Sequence, residues 1–160
     1  MNEFPLLTRS AQQLTRDETL EILKGEVRGV LSVVGVNGYP YGMPMNHYYH
    51  EADGCLYFHC GRGGHRMAAL QRCDKASFCV YDSGTCAEGE WALQFRCAIL
   101  FGRIEVLEDP ALIADITARL SRRFTQDEAY IGEEIATYAA QTVLLRMTPE
   151  HICGKRVKEC

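Results

Sequence analysis

Read for hydrophobic periodicity, the chain resolves into short β-branched runs divided by turn residues, with a few stretches at helical spacing. Leu20 and Leu23 give an apolar face just after Thr15 to Glu18 (TRDE), which has the form of a capping box. Gly25 suits the stop, so a first helix is expected there. The run Val30 to Val36 predicts a strand, Asn37-Gly38 a tight hairpin turn, and Tyr39 to His50 the returning strand. Pro40 and Pro44 each remove an amide donor, so that strand should lie at an edge, carry a bulge, or bend where something docks. Asp53-Gly54 makes another turn, and Cys55 to Cys60 reads as a third short strand. A helix is expected from about Gly64 to Arg72 and a strand from Lys75 to Asp82, followed by a polar loop, Ser83 to Gly89. Glu90 to Leu107 is apolar and branched enough for one long bent strand or a strand pair. Asp109 caps a helix with Pro110 at its first position, and Leu112, Ile116, Leu120 and Phe124 fall on one stripe. A polar, helical segment reaches about Tyr138, and Thr142 to Met147 is the last clear strand.

Five to seven mostly hairpin-linked strands with a few helices predict an α+β chain built on an antiparallel sheet, with a closed or split barrel favoured over an open one. No βαβα rhythm supports a doubly wound fold. At 160 residues the simplest organisation is a single domain, 1–160. A net charge of −4 argues against a nucleic-acid partner. No apolar run is long enough to cross a bilayer, and the start MNEFPLLTRSAQQL lacks the layout of a signal peptide, so a cytoplasmic protein is expected. The eight cysteines (Cys55, Cys60, Cys73, Cys79, Cys86, Cys97, Cys153 and Cys160) contain no CxxC pair. They read as reduced thiols, with Cys79 and Cys97 as small core residues.

The most chemically loaded stretch is FHCGRGGHRMAAL, Phe58 to Leu70. Three readings compete for it. His47, His50, Cys55, His59, Cys60 and His65 are metal-ligand types, but their spacing fits no finger, and in a strand Cys60 points away from the face that Cys55 and His59 share. A Cys60–His65 nucleophilic pair is possible, but glycine flexibility near a thiol is no evidence of activation, and a buried or idle thiol is the favoured reading. The anion reading rests on order: a strand, a glycine-rich loop, then His65 and Arg66 in the first helical turn. There the unpaired amides and two basic side chains favour a phosphate. Against it stands a plain helix start, with Arg66 extended into water and His65 a neutral cap, and local pattern leaves both open. GRGGHR is neither a Walker loop nor a dinucleotide fingerprint in its usual setting. The tail Gly154 to Lys158 (GKRVK) is a second basic cluster, which alone would be a solvated end. In Tyr39 to Met45 (YPYGMPM) proline frees strand neighbours from ladder bonding, so their backbone groups can meet a planar heterocycle edge-on.

Five blocks occur in order: GYPYGMP (Gly38 to Pro44), YFHCGRGGHR (Tyr57 to Arg66), KASFCV (Lys75 to Val80), FRCAILFGR (Phe95 to Arg103) and HICGK (His151 to Lys155). Together, over roughly residues 10 to 157, the chain resembles the nitroimidazole-resistance proteins, a branch of the pyridoxamine 5′-phosphate oxidase-like flavin-binding split barrels. The resemblance implies a six-stranded antiparallel split β-barrel with flanking helices, assembled as a homodimer with FMN at two interface sites. It implies that Met43, Pro44, Met45 and Asn46 line the flavin ring through their backbone. Phe58, His59 and Cys60 would follow the ribityl chain, and His65 and Arg66 would hold the phosphate. Lys155 and Arg156 would close over the phosphate or the adjacent ring, and Trp91, Phe95 and Arg96 would reach the partner subunit's flavin. The activity implied is an FMN-dependent oxidoreductase, passing electrons from a reduced donor such as a nicotinamide nucleotide to a small acceptor of the nitroimidazole type. His59 and His65 are the only candidates for proton relay. A non-catalytic flavin- or haem-binding, redox-sensing module is the alternative, since no separate nicotinamide fingerprint or distinct substrate pocket can be read. A pyridoxamine 5′-phosphate oxidase-type activity is a third. The chain departs from the family's pattern with Arg66 where lysine is frequent and with Cys60 and Cys153 where serine is common. It also lacks the extended basic segments of true pyridoxamine phosphate oxidases.

Overall fold

The architecture turns on one bend. β1 (Arg28–Val34) and β2 (Pro40–Asn46) form the first hairpin, with Gly38 in the turn at φ 84°. β3 (Tyr48–His50) follows after the single residue His47 and pairs not with β1 but with β4 (Cys55–Gly61). The remaining strands are β5 (Lys75–Tyr81), β6 (Thr85–Cys86), β7 (Leu93–Leu107) and β8 (Thr142–Lys158). All pairings are antiparallel, in the order β2-β1-β5-β7-β8-β4-β3, with β6 added to β7. β2 and β3 are successive in the chain yet occupy opposite margins of that order. The sheet must therefore roll up until its two margins meet at His47, which makes a split barrel. The structure, a computed structural model, describes Phe4 and residues 7–158.

Eight strands stand where six were implied, because the returning strand breaks at His47 and β6 adds a short rung. The break has a clear cause. His47 is fully buried, its Nε2–H donates to the Leu23 carbonyl at 2.8 Å, and its amide donates to the Val27 carbonyl at 3.2 Å instead of to a ladder partner. Arg123 holds the same corner, donating to the carbonyls of His47 (2.8 Å), Lys24 (2.6 Å) and Glu26 (2.7 Å).

The first helix, α1 (Arg16–Gly25), starts in the expected capping box: Thr15 and Glu18 satisfy each other's amides. It lies on β8, and Gly154 permits the approach, since a Cβ there would sit 2.0 Å from Thr19 Oγ1. α2 (His65–Arg72), α3 (Pro110–Ser121) and α4 (Glu128–Tyr138) complete the fold. Barrel residues including Leu31, Phe58, Phe78, Leu100 and Leu145 make the main core, and Cys55, Tyr57 and Leu144 on the outer face of the sheet bury Ile113 and Ile116 of α3.

Several expectations are corrected. The first strand starts at Arg28 and ends at Val34, before Val36. Of the two readings of Glu90 to Leu107, the single long bent strand is the one found, from Leu93, with a register shift between Phe101 and Gly102. The last strand runs on past Met147 to Lys158, so the basic tail is paired with β7 (Lys155 with Cys97, Arg156 with Arg96) and is not a solvated end. Phe124 lies beyond the end of α3 and is exposed. Cys97 is buried, but Cys79 faces outward from β5 and is only half-buried. The seven described cysteines are free thiols, and Cys160 lies outside the described residues. Among the described residues, no helix is long and apolar enough to cross a membrane.

Candidate functional site

The barrel is split where two strand edges face each other unpaired. β2 bonds only to β1, and β4 meets β3 only through Cys55–Tyr57. On that side, the β4 residues from Phe58 to Gly61 have no strand beside them. Between these edges opens a cleft of about 700 Å³. Met43, Pro44, Met45 and Asn46 form one wall, and His59, Cys60 and Gly61 the other. Arg66 reaches in from α2, Arg28 from the start of β1, and Tyr138, Gln141 and Thr142 close the rim. Pro40 and Pro44 thus sit in an edge strand, the place where a missing amide donor is tolerated.

The cleft's charge is one-sided. Among the described residues, two guanidinium groups line it and no carboxylate does. Arg28 is turned toward Asn46, whose Oδ1 accepts from its Nε at 2.8 Å. Arg66 has poorer company: its Nη1 rests on the thioethers of Met43 (2.7 Å) and Met45 (3.3 Å), and its buried Nε–H has no acceptor. Thioether sulfur is a weak acceptor, so this cation lies against apolar groups without a matching anion. Cys60 does not supply one. Burial pushes its thiol pKa up, and the Arg66 charge beside it only partly opposes that, so the thiol stays neutral. α2 adds to the field. It starts from Gly64 at φ 98°, has no acidic residue in its first turn, and points amides without helical acceptors at the loop. Beside Gly61, Gly63 and Gly64 there is open space, so no described residue fills this cradle. The donor set fits a phosphate ester.

The profile of the family described as pyridoxamine 5′-phosphate oxidase matches residues 15–156. The chain belongs to that family. No curated protein matches it. Among solved structures, a candidate 5-nitroimidazole antibiotic resistance protein from Bacteroides thetaiotaomicron is 18% identical with a TM-score of 0.78, over 92% of this chain and 87% of its own. A conserved hypothetical protein from Mycobacterium tuberculosis is 17% identical with a TM-score of 0.78, over 94% of this chain and 90% of its own. A FAD-binding protein from Mesorhizobium loti is 19% identical with a TM-score of 0.65, over 91% of this chain and 97% of its own. At these identities the likeness is one of fold.

Within this pyridoxamine 5′-phosphate oxidase-family barrel, the sequence candidates separate into groups. Met43, Pro44, Met45, Asn46, His59, Cys60 and Arg66 share the cleft. Phe58 does not line it: its side chain is fully buried in the core, edge-on to Phe78 at 5.1 Å. His65 is exposed and packs edge-on against Tyr41 at 4.6 Å, outside the cleft lining. Lys155 lines a different pocket with Ile99 and Cys153. Phe95, Arg96 and Arg156 line another, where Arg96 is paired with Asp82 at 2.9 Å, while Arg156 also meets Glu18 at 3.3 Å. Trp91 is 79% exposed. The histidines weighed as metal ligands are dispersed: His47 in the core, His50 against Asp53 at 3.1 Å, His65 on Tyr41. Among the described residues no three potential ligands converge. Sequence reading missed Arg28, Tyr138, Gln141 and Thr142. Nothing local marks them, since each reaches the cleft through a strand or helix end distant in sequence.

Proposed function

We propose that the chain is an FMN-binding oxidoreductase, a cytoplasmic homodimer that holds its flavin in the split of the barrel. The observation that carries this reading is Arg66, a partly buried cation whose Nε–H lacks an acceptor, in a cleft lined, among the described residues, by a second arginine and no acid. The flavin phosphate would accept from Arg66 and the free amides of α2, and the backbone of Met43 to Asn46 would meet the ring along the unpaired edge of β2. His59 and Cys60 would flank the ribityl chain. FMN, when bound, supplies the electron transfer; the protein binds, orients and shields it. Crowding by protein lowers the His59 pKa, so at neutral pH its imidazole is uncharged and able to take or give a proton at the cleft's edge. The FAD-binding relative from Mesorhizobium loti shares the fold and supports a flavin ligand. Exposed Trp91 and the Phe95, Arg96 and Arg156 surface lie outside this cleft, and in a homodimer they would face the partner's flavin.

The test is direct. Purified protein should show flavin absorption, or take up FMN at one per chain, and run as a dimer by light scattering. A reduced nicotinamide should bleach the flavin, and a nitroimidazole should restore its colour. A protein that takes up no FMN is not this enzyme. One that binds FMN yet accepts electrons from no donor is a flavin carrier.

A further inference from the structure

Beside the cleft lies a second pocket of about 290 Å³ that the flavin reading does not use. It is a groove between α3 and α4. Ile113, Thr117 and Ser121 line it from α3 at four-residue spacing, which keeps them on one helical stripe. Two adjacent stripes of α4 face them: Ile131 with Ile135, and Tyr130, Glu134 and Tyr138. His59 of β4 and Thr142 of β8 make the floor. His59, Tyr138 and Thr142 line this groove and the large cleft alike, so the two spaces share a wall.

Ile113, Ile131 and Ile135 give the groove an apolar body, and two of the polar side chains around it stand out. The Thr117 hydroxyl is buried with no partner. The Glu134 carboxylate makes no ion pair or hydrogen bond with any described residue, although other helical acids nearby do: Asp115 holds Arg119 and Glu128 holds Arg122. One turn to either side of Glu134 stands a tyrosine, Tyr130 and Tyr138, both half-exposed. A carboxylate between two aromatic rings is a recognition set for organic cations, since ring faces and carboxylate all present negative potential. Among the described residues no lysine or arginine lines the groove, and burial lowers the His59 pKa, so no positive charge in that lining opposes a cation at neutral pH.

We propose that this groove is the substrate subsite, and that it takes a small aromatic or compact apolar molecule bearing a protonated amine. The apolar body lies among Ile113, Ile131 and Ile135, the ammonium group meets Glu134, and the shared wall sets the body against the cofactor cleft. The role as a substrate site rests on the flavin reading; the cation preference does not.

The test uses benzylamine, its neutral isostere benzyl alcohol, and the anion benzoate. Each is titrated to millimolar levels into protein with and without FMN, following the methyl NMR signals of Ile113, Ile131 and Ile135. Benzylamine should move all three signals and bind about tenfold more tightly than benzyl alcohol, the size of one charge-assisted contact, while benzoate leaves them in place. Glu134→Gln should remove that tenfold preference. With FMN bound, benzylamine should also perturb the flavin absorption. Unmoved methyl signals, equal affinity for the three probes, or an unchanged preference in Glu134→Gln would overturn the cation site. Methyl shifts with an undisturbed flavin spectrum would overturn its role as substrate subsite. If FMN never binds but benzylamine does, the flavin reading fails and the cation site stands.

Discussion

Replacing Arg66 with methionine should move two measured quantities in opposite directions. The protein's own groups satisfy the guanidinium poorly: Nη1 leans on two thioethers and the buried Nε–H has no acceptor. A buried donor left without a partner costs about 1–3 kcal/mol. Part of Arg66 stays solvated, so the lower end applies, and Arg66→Met should stabilise the flavin-free chain by about 1 kcal/mol. Methionine keeps most of the stem volume, so no cavity confuses the sign. Flavin binding should respond the other way. Losing a charge-assisted bond to phosphate removes about 1.5–3 kcal/mol, or about 10- to 150-fold in FMN affinity. Urea midpoints of the flavin-free protein give the first quantity, and quenching of FMN fluorescence on titration gives the second. Arg66→Lys, which keeps the charge but not the fork, should fall between the two in affinity. Unchanged FMN affinity in Arg66→Met would show that the phosphate does not sit here. Lower stability in the flavin-free variant would show that the thioether contacts satisfy the cation after all.

Two further outcomes concern the frame around the cleft. Burial lowers the His47 pKa from 6.5 to about 4, so the folded protein holds it neutral. As pH falls through 6.5 the unfolded chain takes up a proton that the folded chain refuses until about pH 4. Stability is therefore complete above 6.5 and drops by about 3 kcal/mol by pH 4. Urea midpoints across that window should slope steeply in the native protein and less so in His47→Gln, and equal slopes would place the acid sensitivity elsewhere. Gly154→Ala should loosen α1 from β8, because its Cβ meets Thr19 Oγ1 at 2.0 Å. Overpacking of this kind costs about 1–3 kcal/mol, read as a lower Tm, and adding Thr19→Ala should restore part of it; full stability in Gly154→Ala would mean the helix shifts freely.

Much of this molecule is legible one segment at a time. The capping box at Thr15, the hairpin at Asn37-Gly38, the edge strand announced by Pro40 and Pro44, and the glycine loop leading into His65 and Arg66 are all local choices. Backbone dihedrals and side-chain-to-backbone hydrogen bonds decide them within a few residues. Long-range pairing is another matter. The stretch from Thr148 to Lys158 has too many polar positions to announce a strand, and it becomes one because β7 supplies its ladder and α1 lies on Gly154. The break at His47 could not be foreseen either, since the groups that take its amide and ring, Val27 and Leu23, belong to another part of the chain.

The same division runs through the site. Sequence alone placed a basic pair at a helix start after a flexible loop, and a proline-interrupted strand elsewhere in the chain. Only the rolled sheet decided that these two features face each other, that Arg28 joins them with no acid nearby, and that His65 turns aside to Tyr41. Local propensity acts over a few residues, whereas the position of an unpaired edge depends on how the whole sheet closes. The cleft exists because one chain segment must serve both margins of the barrel and can bond fully to only one neighbour at a time.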